Sequence, residues 1–231
     1  MKIKNADNAV EESVSIEQNE QELTSLKTNS VYLFLKRTID IIGSFLGLIV
    51  LSPFFLIIAL LIKFDDGGKV LYRHKRVGKD GKEIYIYKFR SMKKNADDLE
   101  SMLTPEQLET YKTEFKIEND PRITKVGNIL RKTSLDELPQ LFNILKGDLS
   151  IVGPRPIVVE ELENYGEDAK KLLSVKPGLT GYWQAYARND VVYATGERQR
   201  MELYYIDNRS LWFDIKIFFR TFIAIFKKTG Q

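Results

Sequence analysis

The chain has 231 residues, with 35 Lys and Arg against 32 Asp and Glu, a formal net charge of +3, one histidine and no cysteine. Lacking cysteine, it excludes disulfides, thiolate metal sites and a cysteine nucleophile. A single histidine excludes a multi-histidine zinc site, and the near balance of charge argues against a general nucleic-acid binder.

Residues 1–30 are acidic and polar, with no sustained apolar period, which predicts a disordered tail. Residues 31–64 form the next element. Ile41–Ile62 carries no charge, yet Lys36 and Arg37 precede it and Lys63, Lys69, Arg73, Lys75 and Arg76 follow. About 22 uncharged residues reach roughly 33 Å as a helix, enough to cross a bilayer core. Basic flanks favour the cytoplasm, and here both flanks are basic. A segment that enters one leaflet, bends and returns satisfies both ends. Pro53 supplies the bend, because it lacks an N–H and crowds the preceding turn, and Ser52 can bond a carbonyl that the break frees. A single straight crossing and a buried soluble helix are the competing readings. A secretory signal is disfavoured by the acidic leader and the late apolar run. Asp40 lies three residues after Arg37, at helical pairing distance, and reads as a surface ion pair or a neutralised pair at the membrane boundary.

Val70–Arg76 and Glu83–Met92 read as two strands around the turn cluster Gly78-Lys79-Asp80-Gly81. Ile84, Ile86 and Lys88 share one face of the second strand. The basic block 69–94 could face anionic headgroups or substrate phosphates, and His74 within it reads as a solvated or interfacial residue. Residues 93–118 are polar and helical, with a cap at Thr104-Pro105-Glu106-Gln107. Asn119-Asp120-Pro121-Arg122 is a turn, and Val126–Arg131 begins a further helix. Ser134–Leu145 reads as an amphipathic helix stopped near Gly147, and Gly153-Pro154-Arg155-Pro156 as a stiff loop. Ile157–Tyr165 is helical, Lys176–Trp183 is a Gly/Pro turn followed by aromatics, and Glu197–Asn208 is helical. In the last segment, Trp212, Phe213, Phe218, Phe219 and Phe222 alternate with Lys216, Arg220 and Lys227. That pattern suits a helix lying in a membrane interface, or one packed on the core. The expected architecture is α+β and mainly helical. A domain over 65–209 stands between the re-entrant, Ser-Pro-broken helix and a C-terminal interfacial helix over 210–231.

The strongest candidate for chemistry is Ser134-Leu135-Asp136-Glu137. Ser134-x-x-Glu137 matches a capping box, which would account for Glu137 and only in part for Asp136. The same geometry permits a different use. A helix start attracts phosphate, a carboxylate beside that phosphate can attack it, and a neighbouring carboxylate can hold a divalent metal. Arg155, stiffened by a proline on each side, suits bidentate phosphate binding or a structural salt bridge. Lys88, Arg90 and Arg131 add cations, Arg188 lies further on, and Gln184 and Asn189 could read polar groups of a base or sugar while Tyr182 or Trp183 stacks.

Over roughly residues 33–228 the chain resembles the bacterial sugar transferases, the monotopic polyprenyl-phosphate phosphoglycosyl transferases. The resemblance rests on an ordered series: Lys36-Arg37-x-x-Asp40, Ser52-Pro53, Tyr87-Lys88-Phe89-Arg90-Ser91-Met92, Asp120-Pro121-Arg122-Ile123-Thr124, Ser134-Leu135-Asp136-Glu137-Leu138-Pro139-Gln140, Gly147–Pro156 and Lys176–Gln184. Where the family usually has Gly-Arg-Asn, this chain has Ala187-Arg188-Asn189, a change that bears on one local backbone contact. The resemblance implies a minimal catalytic form, without the multi-span N-terminal region of longer members. It implies that a sugar-1-phosphate passes from a UDP-sugar to undecaprenyl phosphate with release of UMP. The route is a covalent aspartyl-phosphosugar, with Mg²⁺ as cofactor. Carried over, Asp136 is the nucleophile and Glu137 its partner in metal binding or proton handling. Arg155 binds phosphate, with Lys88, Arg90 and Arg131 in support. Ser52 and Pro53, with Arg37 and Asp40, shape the re-entrant segment. The implied setting is the cytoplasmic face of a bacterial inner membrane, in exopolysaccharide or capsule synthesis, with membrane lipid as partner and self-association left open. UDP-galactose is the donor that the motifs most resemble, followed by UDP-glucose. The alternatives are a glycosyltransferase that releases UDP, and a membrane-anchored scaffold whose acidic pair only caps a helix.

Overall fold

A computed structural model describes residues 30–114, 117–187, 191 and 195–226. Arg188, Asn189, Lys227 and all of the expected tail except Ser30 lie outside the described residues. The chain divides into two compact units, Met1–Thr38 and Ile39–Gln231. The described part of the first, residues 30–38, is helical, with Thr38 Oγ1 donating to the Phe34 carbonyl at 3.0 Å.

Helix α1 runs Ser30–Asp66 and is long and apolar enough to cross a membrane. Pro53 lies inside it, and the helix continues on both sides, so the expected Ser-Pro break is not a break in secondary structure. The physical reason is local repair. Proline at 53 removes the donor that would reach the Ile49 carbonyl, and Ser52 Oγ donates to that carbonyl at 2.8 Å. From Asp40 onward one stripe of α1 turns inward: Asp40, Ser44, Leu48, Leu51, Phe55, Ile58 and Ile62 recur every three or four residues. Asp40 is the anchor at its start, its Oδ1 accepting from Ser150 Oγ at 3.1 Å and from the Ile151 N–H at 2.9 Å. Farther along, the Phe55 ring meets Phe89 edge-on at 5.2 Å. The other faces leave Phe45, Val50, Leu56 and Phe64 more than half exposed, an apolar surface suited to a non-aqueous medium.

Strands β1 (Leu71–Val77) and β2 (Glu83–Phe89) form an antiparallel hairpin, as the alternation predicts. Ile84 and Ile86 are buried with Leu141, Ile144 and Leu149, while Phe89, on the opposite face, packs with Ile58, Ile62 and Leu130. Helix α2 is Leu99–Met102 and α3 is Pro105–Glu114. The predicted box at α3 forms: Thr104 Oγ1 accepts from the Gln107 N–H at 3.3 Å, and Gln107 Oε1 accepts from the Thr104 N–H at 3.1 Å. The predicted turn before the next helix is held by a buried Asp120–Arg122 ion pair at 2.7 Å.

Helix α4 (Lys125–Thr133) is capped by Thr124, and α5 (Gln140–Lys146) ends on Gly147 at φ 96°, the left-handed position where glycine carries no steric cost. Strands β3 (Ser150–Val152) and β4 (Gly178–Thr180) pair in parallel. Sequence reading places a plain turn at β4, because three residues are too few to display a period. Residues Val159–Asp168 are 3₁₀-helical with a kink at Gly166, which is at φ 50°, where the sequence suggests an ordinary helix over Ile157–Tyr165. Helices α6 (Ala169–Leu173), α7 (Tyr182–Tyr186), α8 (Glu197–Asn208) and α9 (Leu211–Phe226) complete the unit. On α9, Asp214 and Ile217 are buried, and Asp214 Oδ1 accepts from the Tyr205 hydroxyl at 2.7 Å. Its other side exposes Trp212, Phe219 and Phe222, so the helix packs on the core and still presents an apolar face.

Candidate active site

The acidic pair does not lie where a capping box would put it. Ser134 is left-handed, at φ 57°, and closes α4 from behind, with no capping bond from its side chain to the next element. A left-handed serine costs about 1–2 kcal/mol, and it reverses the chain directly ahead of the pair. Leu135–Glu137 is a single 3₁₀ turn, followed by Leu138 and Pro139 and then by α5. Successive residues in such a turn point about 120° apart, so Asp136 and Glu137 face different surroundings. Asp136 is buried. Glu137 Oε1 takes the Lys88 ammonium at 2.6 Å, both side chains being largely sheltered. Proline and leucine after the pair preserve helical backbone without an N-cap, which is why the box pattern misleads here.

Lys88 owes its place to β2, and β2 is held by Asn143, which is fully buried on α5. The Asn143 amide donates to the Tyr85 carbonyl at 2.7 Å, and its Oδ1 accepts from the Tyr87 N–H at 2.9 Å. One side chain thus satisfies the backbone on either side of Ile86 and fixes the strand against the helix that follows the acidic turn.

Arg155 enters from the other side. The loop after β3 is pinned where two glycine backbones meet: a Cβ on Gly178 would stand 2.1 Å from the Gly153 nitrogen. The Gly178 N–H donates to the Pro154 carbonyl at 2.8 Å, and the Arg155 N–H donates to Glu202 Oε1 at 3.2 Å. Arg155 therefore stands in a stiff loop, as its flanking prolines predict. It faces a shallow cleft lined with Arg76, Lys88, Glu137, Gln140, Arg155 and Gln184, among others. Burial, with Arg198 and Arg76 nearby, pushes the Arg155 guanidinium down to about 10, still a cation at neutral pH, and its Nε has no hydrogen-bond partner. A cation held this way favours an incoming anion.

Behind the cleft, Glu161 bridges two arginines, Arg76 at 3.3 Å and Arg198 at 3.2 Å, with all three side chains buried. Removing one member of such a group leaves an uncompensated buried charge, at a cost of about 3–5 kcal/mol. Arg198 also stacks its guanidinium 4.5 Å from the Trp183 ring centre. Arg198, Glu161, Glu202 and Asn143 escape a reading of the sequence, and Arg76 is read there only as one of the basic block 69–94. The one signal for them is a charged i, i+4 pair, Arg198 and Glu202, on the face of α8 that also carries Tyr205 and Ile206.

Other predicted residues go elsewhere. Arg90 pairs with Asp66, and Arg131 Nε donates to Ser91 Oγ at 2.9 Å, so neither lines the cleft. Gln184 does line it, its amide donating to the Leu179 carbonyl at 3.3 Å while its buried Oε1 has no hydrogen-bond partner. His74, read as a solvated or interfacial residue, is not fully solvated. It is half-buried, its Nδ1 stands 3.2 Å from Arg76 Nη2, and burial together with Arg76 lowers it to about 3, so it stays neutral. Arg188 and Asn189 fall outside the described residues.

The residues present fit a magnesium ion in its usual style. That ion takes one or two protein carboxylates and leaves its remaining positions to water and substrate phosphate. Glu137, on the cleft wall, offers one hard oxygen donor, and Asp136, on the other side of the same turn, is the adjacent carboxylate. Among the described residues no cluster of three or more His, Cys, Asp or Glu forms a site built wholly by protein.

The cleft is lined by cations, and the same chain carries a long helix with exposed apolar faces. The sequence profile of the family described as "Bacterial sugar transferase" matches residues 31–228, and the chain belongs to that family. It is similar to the undecaprenyl-phosphate galactose phosphotransferase of Salmonella typhimurium, 50% identical over 201 residues, covering 85% of this chain and 41% of that one. It is 46% identical over 199 residues to the exopolysaccharide production protein ExoY of Rhizobium meliloti, covering 85% of this chain and 87% of ExoY. The UDP-glucose:undecaprenyl-phosphate glucose-1-phosphate transferase of Escherichia coli is 43% identical over 205 residues, with 86% and 41% covered. The chain thus spans about two-fifths of the length of the Salmonella and Escherichia relatives and most of ExoY.

Proposed function

We propose that this protein transfers a hexose-1-phosphate from a UDP-hexose to undecaprenyl phosphate in exopolysaccharide synthesis, with galactose the first donor to test and glucose the second. The observation that carries the reading is the turn Leu135–Glu137, which brings the acidic pair to the edge of the cleft. Helix capping does not explain the acidic pair, because the box is not formed. Instead Asp136 is buried on a strained turn, and the next residue lines a cleft with Lys88, Arg76 and Arg155.

In the proposed route an Asp136 carboxylate oxygen attacks the sugar-bearing phosphorus of the donor. The bond from that phosphorus to the bridging oxygen breaks, and UMP leaves with the electron pair. An oxygen of undecaprenyl phosphate then attacks the same phosphorus and returns Asp136 as a carboxylate. Arg155 and Arg76 bind the diphosphate and stabilise its charge as it moves. Lys88 balances Glu137, so that two carboxylates can stand beside an anionic substrate. Bound Mg²⁺, held by Asp136 and Glu137, would supply charge neutralisation at the phosphoryl oxygens.

Incubation with radiolabelled UDP-hexose and no lipid is expected to label the protein and release UMP in equal amounts. Release of UDP instead would assign an ordinary glycosyl transfer, and no release of nucleotide with any hexose donor would defeat the reading.

For topology we favour a re-entrant segment on the cytoplasmic face. Both flanks are basic, and from Asp40 to Asp66 α1 is laid along its own polar domain, which a straight crossing of that stretch would drag into lipid. Tags before residue 31 and after residue 228 are expected both to be inaccessible from outside intact cells. Outside labelling of the first alone would show a full crossing.

A further inference from the structure

We propose that Glu202 is a positioning residue for the cleft: its carboxyl group holds the backbone of the Arg155 loop, and its charge state sets how strongly the arginine cluster attracts the donor diphosphate. The proposal rests on the functional reading above. It assigns a role to a group that the two phosphoryl transfers do not themselves use.

The geometry begins on α8. Glu202 is 1% exposed, one turn beyond Arg198 and beside the fully buried Tyr205. One carboxyl oxygen accepts from the Arg155 N–H at 3.2 Å, while the other, Oε2, is buried with no hydrogen-bond partner. An isolated carboxylate is seldom left so, because an unpaired buried oxygen forfeits its solvation. A protonated carboxyl reduces that cost and keeps its carbonyl for Arg155. The charged groups acting on Glu202 are Arg198 on its own helix, Arg155 on the loop and Glu161 on the 3₁₀ segment. Arg76 on β1 and Glu137 on the acidic turn act on Arg155 in turn. Arg76, Arg155 and Arg198 bring three positive charges, and Glu161 offsets one. Whether Glu202 offsets a second depends on its proton.

Burial raises the Glu202 carboxyl to about 7, against the opposing pull of Arg198 and the Arg155 N–H. Below that pH the group is neutral and the cluster carries its full excess of positive charge. As pH rises through it, one negative charge appears behind the arginines, and an anionic donor is held less tightly. The single histidine does not contribute, because His74 is already neutral over this range.

The test is calorimetric binding of UDP-galactose to the full chain in detergent, with Asp136→Asn present throughout to prevent turnover. This ligand has no group that titrates near neutrality. Affinity is expected to be roughly tenfold higher near pH 6 than near pH 8, because the Glu202 carboxyl is mostly neutral at the first pH and about one-tenth neutral at the second, and the charged form binds the donor far less tightly. Adding Glu202→Gln keeps a carbonyl for the Arg155 N–H and removes the titration. Affinity should then be the same at both pH values and close to the parent's low-pH value. Adding Glu202→Ala instead removes the acceptor as well and should weaken binding at both. A pH dependence that survives Glu202→Gln, or a parent with none, overturns the proposal. Failure of the parent to bind UDP-galactose or UDP-glucose at either pH overturns the functional reading and takes this proposal with it.

Discussion

Asp136→Asn is expected to lower UMP release from a UDP-hexose by roughly 10³-fold or more, the scale on which an enzyme loses activity when its nucleophile is removed. The amide is nearly isosteric with the carboxylate and cannot form the acyl phosphate. Asp136 is buried, but the elements around it are held by other contacts: Asn143 to β2, Lys88 to Glu137, and the Thr124 cap on α4. The variant should therefore fold and should partition into membranes as the parent does, since the exposed faces of α1 and α9 are untouched. Labelled protein should not appear on incubation with radiolabelled donor. Turnover within a few-fold of the parent would remove Asp136 from the chemistry.

Arg155→Ala should lower kcat/KM for the donor by about 10²–10³, comparable to deleting one preorganised donor from an anion-stabilising site. Arg155→Lys should recover only part of this, because an ammonium supplies charge without the planar fork that grips two phosphate oxygens. Stability is expected to move differently from activity. In the unliganded protein the guanidinium is partly buried with Arg76 and Arg198 as neighbours, and that environment disfavours its charge. Its removal relieves repulsion, so the melting temperature should stay level or rise. A large fall in melting temperature alongside the lost activity would mean that Arg155 holds the fold rather than the substrate.

Much of the architecture is legible before any coordinates. The hairpin follows from alternation in Glu83–Phe89, the box at Thr104 and Gln107 from a short-range hydrogen-bond pattern, and α8 from helical spacing with its bounds intact. Each is a local feature whose energy lies within a few residues. The acidic turn is the instructive miss. Ser134-x-x-Glu137 satisfies the capping pattern, but Ser134 is already committed to ending α4, and one residue cannot have both the left-handed geometry of a stop and the extended geometry of a start. The terminal helix shows a second limit. Its aromatics and cations suit either an interface or a core, and the fold uses both, burying Ile217 while exposing Trp212 and Phe222.

Read alone, the sequence establishes an apolar segment with basic flanks, an adjacent pair of carboxylates, and an arginine stiffened between prolines. Composition, charge and covalent geometry are properties of the chain itself, so they can be read without a fold. Tertiary structure decides which cations meet those carboxylates. Arg90 and Arg131, near the motifs in sequence, are taken up by Asp66 and Ser91. Arg76 and Arg198, which are 122 positions apart by number (198 − 76), come to share Glu161. The reason is that a charge enters a protein interior only with a partner, and such partners are found by packing between remote elements rather than by proximity along the chain.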